Sequence, residues 1–150
     1  MNRVNIVAVG GIKEKFFKDA IAEYSKRLHA FAYLNFIEID EKAHKEISPK
    51  IESETLDLMK VLSKLKGNKY LLDIKGQLVN SQQFAQILSS EMDATFVIGG
   101  SDGVSRSIEQ SITSTLSLGK ITLPHQLCRV VLIEQIYRGF MIASGRAYHK

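Results

Sequence analysis

At 150 residues the chain suits one domain with a real core, since a domain of this size buries roughly 70% of its unfolded surface. A hydrophobic fraction of 45%, a charged fraction of 24%, two prolines and no low-complexity tract exclude a disordered or fibrous protein. The net charge of +4 with a pI near 9.2 is mild and selects no partner by itself.

No apolar stretch approaches the roughly 20 residues that span a bilayer, and "MNRVNIVAVGGIKEK" reads as a strand followed by charge, not as a signal peptide. The single cysteine, Cys128, excludes an internal disulfide framework and lies among Leu127, Val130 and Val131, as a buried small hydrophobe would. A cytoplasmic, reducing setting is expected. Lys13, Lys15, Lys18, Lys26, Arg27 and His29 crowd the N-terminal region, and Arg138, Arg146, His149 and Lys150 crowd the other end. These clusters read either as solvated helix faces or as one basic face for nucleic acid.

In chain order, "RVNIVAVG" is a β-branched strand closing on Gly10, and the segment from Lys13 to Leu28 carries Phe16, Phe17, Ala20, Ile21, Tyr24 and Leu28 at helical spacing. "YLNFIEID" reads as a second strand, and Ser48 before Pro49 opens a helix that runs to Leu65 and stops at Gly67. "YLLDI" is a third strand, Asn80 caps a helix with Gln83 three residues on, and "ATFVIGG" is a fourth strand apolar enough to be buried on both faces. Strands alternating with helices predict an α/β domain with a mostly parallel sheet flanked by helices, and such sheets bind ligands at the carboxyl ends of their strands. Gly99 and Gly100 fall at that place, as a tight turn or as bare backbone for a ligand.

Familiar nucleotide motifs are missing: "GGSDG" lacks the dinucleotide-binding spacing, and "GKIT" from Gly119 is no phosphate loop. His29, His44, His125 and His149 are scattered, so no metal site is expected. A Ser-His-Asp hydrolase built on a nucleophile elbow is not expected either. From Gln126 to Ile142 the chain predicts a helix apolar on nearly all sides, with a thin polar stripe of Arg129, Glu134, Gln135 and Arg138. Either other helices of the chain cover it, or a second copy does, through residues such as Ile136 and Tyr137.

"FVIGGSDG", "LSLGKITLPHQLCRVVLIEQIYRGF" and the terminal "YHK", with the opening "AVGGIKEKFFKDAIAEYSKRL", together resemble the RlmH family of the SPOUT superfamily, ribosomal large-subunit RNA methyltransferases, over essentially the whole chain. The resemblance implies a SPOUT-type fold with a C-terminal trefoil knot, a homodimer, and S-adenosylmethionine-dependent methylation of the N3 position of a pseudouridine in a 23S rRNA stem-loop. It implies cofactor contacts from Leu72, Gly100, Gly119, Lys120, Ile121, Thr122, Leu123 and Pro124, and no metal. At Ser101, Asp102, Gly119 and Lys120 it implies backbone contributions.

Methyl transfer from a sulfonium needs alignment and an anionic nitrogen, so a cation near the uracil carbonyls would help. Arg138 and His149 fit that role, with Tyr148 as a stacking or hydrogen-bonding partner. His125 reads as a base or an anchor beside the cofactor loop, or as a packing residue at the helix start. The resemblance implies 23S rRNA as substrate, in the large subunit or the whole ribosome. A non-catalytic RNA-binding protein and a SPOUT enzyme acting on tRNA are the alternatives.

Overall fold

The computed structural model describes residues 1–150. The elements are β1 (Asn2–Val9), α1 (Lys15–Leu28), β2 (Ala32–Ile39), α2 (Ile47–Leu62), β3 (Asn68–Leu78), α3 (Ser81–Ser90), β4 (Asp93–Ile98), a 3-10 helix (Arg106–Ser111), β5 (Ser114–Ser117) and α4 (His125–Ala143). All five strands run parallel in the order β2-β1-β4-β3-β5.

Right-handed crossovers dictate where the helices lie. The moves β1 to β2 and β3 to β4 go one way along the sheet, which puts α1 and α3 on one face. The moves β2 to β3 and β4 to β5 go the other way, which puts α2 and the 3-10 helix opposite. Two apolar clusters follow. Val4, Ile6, Phe84, Phe96, Leu132 and Ile136 belong to one, and Val7, Val9, Leu58, Leu62, Val97 and Ile108 to the other. Neighbouring residues of β1 therefore enter opposite cores, which is why a strand buried from Val4 to Val9 shows no polar alternation.

The Asn80 cap is present in full: the Asn80 side chain accepts from the Gln83 amide at 2.8 Å, and the Gln83 side chain accepts from the Asn80 amide at 2.8 Å. Helix α2 starts at Ile47, so Pro49 lies in its first turn, where a missing amide costs nothing, and it ends at Leu62, short of the expected Leu65. Strand β5 escaped the sequence reading because its four residues, "STLS", are too short and too polar to show a pattern.

Helix α4 is covered in part by its own chain. It packs on α1, α3 and β4, which bury Leu132, Ile133, Ile136 and Phe140, each worth roughly 1.5–3 kcal/mol. Ile136 is fully buried inside the monomer and cannot face a partner. The half-buried stripe opposite holds Leu127, Val131, Glu134 and Arg138.

Arg129 also departs from expectation. It is not part of a polar stripe but is 3% exposed, and its Nη2 donates to the carbonyls of Val9 at 3.0 Å and Gly10 at 2.5 Å. Burial pushes its pKa down, partly offset by Glu38 at 3.7 Å. The guanidinium ties the start of α4 to the carboxyl end of β1. Arg129→Met keeps the side-chain bulk and orphans both carbonyls, so it is expected to destabilise the fold by about 2 kcal/mol or more. An unchanged urea midpoint would show that the tie is energetically idle.

Candidate functional site

The middle of β3, the carboxyl ends of β4 and β5 and the first two turns of α4 enclose a mostly apolar cavity of about 480 Å³. That volume lies within the range of sites for small organic ligands. Of the residues expected to hold a cofactor, Leu72, Gly100, Gly119, Lys120, Ile121, Thr122 and Leu123 line it. Pro124 does not. It is the residue preceding α4, and its carbonyl accepts the Cys128 amide at 2.9 Å, so its part is to start the helix.

His125, Cys128 and Val131 of α4 complete one wall. Burial raises the Cys128 thiol pKa, so it stays a neutral wall residue. Asp73 and Ile74 also line the cavity, and the sequence reading missed both.

The glycine turn is held from the α2 side. The Gly103 amide donates to the Gly100 carbonyl at 3.0 Å, closing a turn over Ser101 and Asp102. Lys50 Nζ bridges Asp102 at 2.7 Å and Glu41 at 3.0 Å, and the Ser105 amide donates to Thr55 Oγ1 at 2.9 Å. Those two carboxylates raise the Lys50 pKa, and Lys50 in turn lowers that of Glu41. The run Gly99-Gly100-Ser101-Asp102-Gly103 carries the G-x-S-x-G spacing of a nucleophile elbow. Its geometry still excludes a serine nucleophile: Ser101 Oγ donates to Glu41 at 3.2 Å, no histidine bonds to it, and a turn rather than a helix follows.

Gly100 is glycine for a different reason from the one its position suggests. A Cβ there would stand 3.0 Å from Glu54 Oε1 and 3.2 Å from Val9 Cγ1, pointing into the α2 layer. Glu54 is 1% exposed, and its Oε1 has no hydrogen-bond partner. The main chain therefore faces the cavity while the side-chain direction is closed by packing.

Arg138, Tyr148 and His149 come together, but away from the cavity, whose wall includes none of them. Arg138 Nη1 lies 3.1 Å from His149 Nδ1, and its Cζ stands 4.8 Å from the centre of the Tyr148 ring. Glu134 accepts from Arg138 Nε at 2.8 Å and raises the guanidinium pKa. Tyr148 packs edge-on against Tyr137 at 4.9 Å, so the tail is anchored to α4 and not frayed. Burial and the Glu134 charge raise the Tyr148 pKa, which keeps its hydroxyl protonated at neutral pH.

No group of three or more metal-ligating side chains occurs, and no helix is long and apolar enough to cross a membrane. Gly100→Val is expected to cost about 1–3 kcal/mol by overpacking against Glu54 and Val9. A thermal melt matching the wild type would show that the α2 layer yields freely at this point.

Residues 2–149 match the family described as "Predicted SPOUT methyltransferase". The chain is 46% identical to the ribosomal RNA large subunit methyltransferase H of Lactobacillus acidophilus and 44% identical to that of Mycoplasmopsis synoviae. It is 39% identical to the protein of the same name from Fusobacterium nucleatum, and each alignment covers 98% of this chain and 99% of the relative. The all-parallel sheet, the cavity at its carboxyl edge and these full-length matches agree: the chain belongs to the SPOUT methyltransferase family, in the group of the ribosomal RNA large subunit methyltransferase H proteins.

Proposed function

We propose that this chain is an S-adenosylmethionine-dependent methyltransferase of large-subunit ribosomal RNA, acting in the cytoplasm as a homodimer. Its target in this reading is the N3 position of a pseudouridine in a 23S rRNA stem-loop of the assembled ribosome. The observation that carries the proposal is the cavity: seven residues of the expected cofactor set line one apolar slot at the carboxyl edge of the sheet. Exposed backbone at Gly99, Gly100 and Gly119 to Leu123 suits an adenosine held by main-chain hydrogen bonds. The relatives carry ribosomal RNA in their name, and the fold is theirs.

Bound in the slot, S-adenosylmethionine would supply a methyl group already activated on a sulfonium. The chain's own task is then to present N3 in line and to favour loss of its proton to solvent water, the cofactor leaving as S-adenosylhomocysteine. That loss places negative charge on the flanking uracil carbonyl oxygens. A guanidinium only donates, so the contact with Arg138 Nη1 is a hydrogen bond when His149 Nδ1 accepts, the tautomer whose proton sits on Nε2. Arg138 and the His149 Nε2–H thus offer a charged and a neutral donor for those oxygens, and Tyr148 offers an aromatic face for the base.

Arg138 lies two turns beyond Val131, about 10 Å farther along α4, and the tail folds back on α4 instead of reaching its own chain's slot. In the proposed dimer the half-buried α4 stripe is the contact, and the tail of one protomer serves the slot of the other. Leu127→Asp, on that stripe and outside the slot, is expected to give monomers. A wild type that sediments as a monomer at micromolar concentration would sink the dimer.

Removing Tyr148 to Lys150 is expected to reduce tritium transfer to unmodified ribosomes by about a hundredfold or more, while titration with S-adenosylmethionine stays near the wild-type value. Near-normal transfer would remove these residues from the chemistry. Absence of any binding heat with the wild type would return the chain to a non-catalytic RNA binder.

A further inference from the structure

Strands β3 and β5 pair in register from Tyr70 opposite Ser114 to Leu72 opposite Leu116, and pairing resumes at Gln77, again opposite Leu116. Asp73, Ile74, Lys75 and Gly76 therefore have no counterpart in β5 and bulge out of the ladder. Bulges beside binding sites re-aim side chains, and this one does so at the edge of the slot. Its return is tight, because a Cβ on Gly76 would stand 2.7 Å from the Thr115 carbonyl. Glycine lets the strand leave the ladder and rejoin it without displacing β5.

The excursion lifts Asp73 and Ile74 into the cavity wall, directly after Leu72. Asp73 is the one carboxylate lining that cavity. The Lys75 amide donates to its Oδ1 at 2.9 Å, which orients the carboxylate and leaves Oδ2 unengaged by this contact. Asp73 takes part in no ion pair within the chain. An aimed carboxylate without an ion pair, in a mostly apolar wall, is an acceptor open to a ligand.

We infer that Asp73 recognises the ribose of the bound cofactor, its carboxylate accepting hydrogen bonds from the vicinal hydroxyls; this rests on the assignment of the cavity to S-adenosylmethionine. The cofactor offers a carboxylate two kinds of donor, the ribose diol and the ammonium of the methionine end. The ammonium stands beside the methionine carboxylate, which Asp73 would repel at close range. The diol presents two neutral donors side by side, and a carboxylate accepts both in charge-assisted bonds. Leu72 and Ile74, flanking Asp73, are apolar and suit a sugar and base edge better than a zwitterion. Ligand-facing acids near strand ends serve ribose in dinucleotide-binding sheets by the same chemistry.

Asp73→Asn tests this without disturbing the core, because the side chain is exposed and the amide oxygen can still accept from Lys75. The measurement is isothermal titration of wild type and variant with S-adenosylmethionine, with 5′-methylthioadenosine, which lacks the methionine end, and with 2′-deoxy-5′-methylthioadenosine. The substitution is expected to weaken the first two ligands alike, by about tenfold. Loss of the 2′-hydroxyl is expected to cost the wild type a similar factor and the variant almost nothing. Weakening confined to S-adenosylmethionine would assign Asp73 to the ammonium and overturn the inference, as would unchanged affinity for every ligand. A wild type that binds neither parent ligand removes the cavity assignment and the inference with it, whereas normal wild-type binding with a silent variant removes only the role of Asp73.

Discussion

A buried guanidinium governs how this domain closes. The carboxyl ends of parallel strands leave carbonyls without partners, and at β1 those carbonyls belong to Val9 and Gly10. Arg129 satisfies both from the second turn of α4, a helix more than a hundred residues later in the chain. That contact brings the last helix across the end of the sheet, so that His125, Cys128 and Val131 become a wall of the slot. Residues between β5 and α4, Gly119 to Leu123, line the same slot. The fold's longest-range tie and the ligand site's far wall are one piece of structure.

The site divides its labour physically. Loops and a bulge frame the slot: the Gly100–Gly103 turn, the Gly119–Leu123 loop and the Asp73–Gly76 excursion. The side chains proposed to meet the substrate lie at the far end of α4 and on the tail, where Glu134, Arg138, Tyr148 and His149 orient one another. Packing on the α2 side holds the glycine turn, through Lys50, Thr55 and Glu54. Aromatic and cationic contacts hold the second group, including Arg27 stacked on Tyr24 and Tyr137 at 5.3 and 5.6 Å. The two regions meet through α4, which contributes to both.

Much of this was legible beforehand. Four strands, the Asn80 capping box and the apolar last helix follow from local pattern, because each depends on residues within a few positions of one another. Of the eight residues that family resemblance marks for the cofactor, seven line the cavity and Pro124 lies just outside its wall, at the start of α4. The meaning of Gly100 was not legible, since what forbids a side chain there is Glu54, which precedes it by more than forty residues. Arg129 was misread for a related reason: a charge on an amphipathic pattern looks solvated until its carbonyl acceptors are placed.

The sequence by itself determined the class of fold, the direction of its strands and the chemistry available at its two ends. Hydrophobic period, capping residues and crossover length are local properties, and they leave little freedom in a domain of this size. Tertiary structure alone decided which groups face one another. It showed that β3 bulges to present Asp73, that Ile136 belongs to the core and not to an interface, and that the tail packs on α4 away from the slot of its own chain. Each of these depends on contacts between segments far apart in sequence, where register and packing, not composition, select the neighbour.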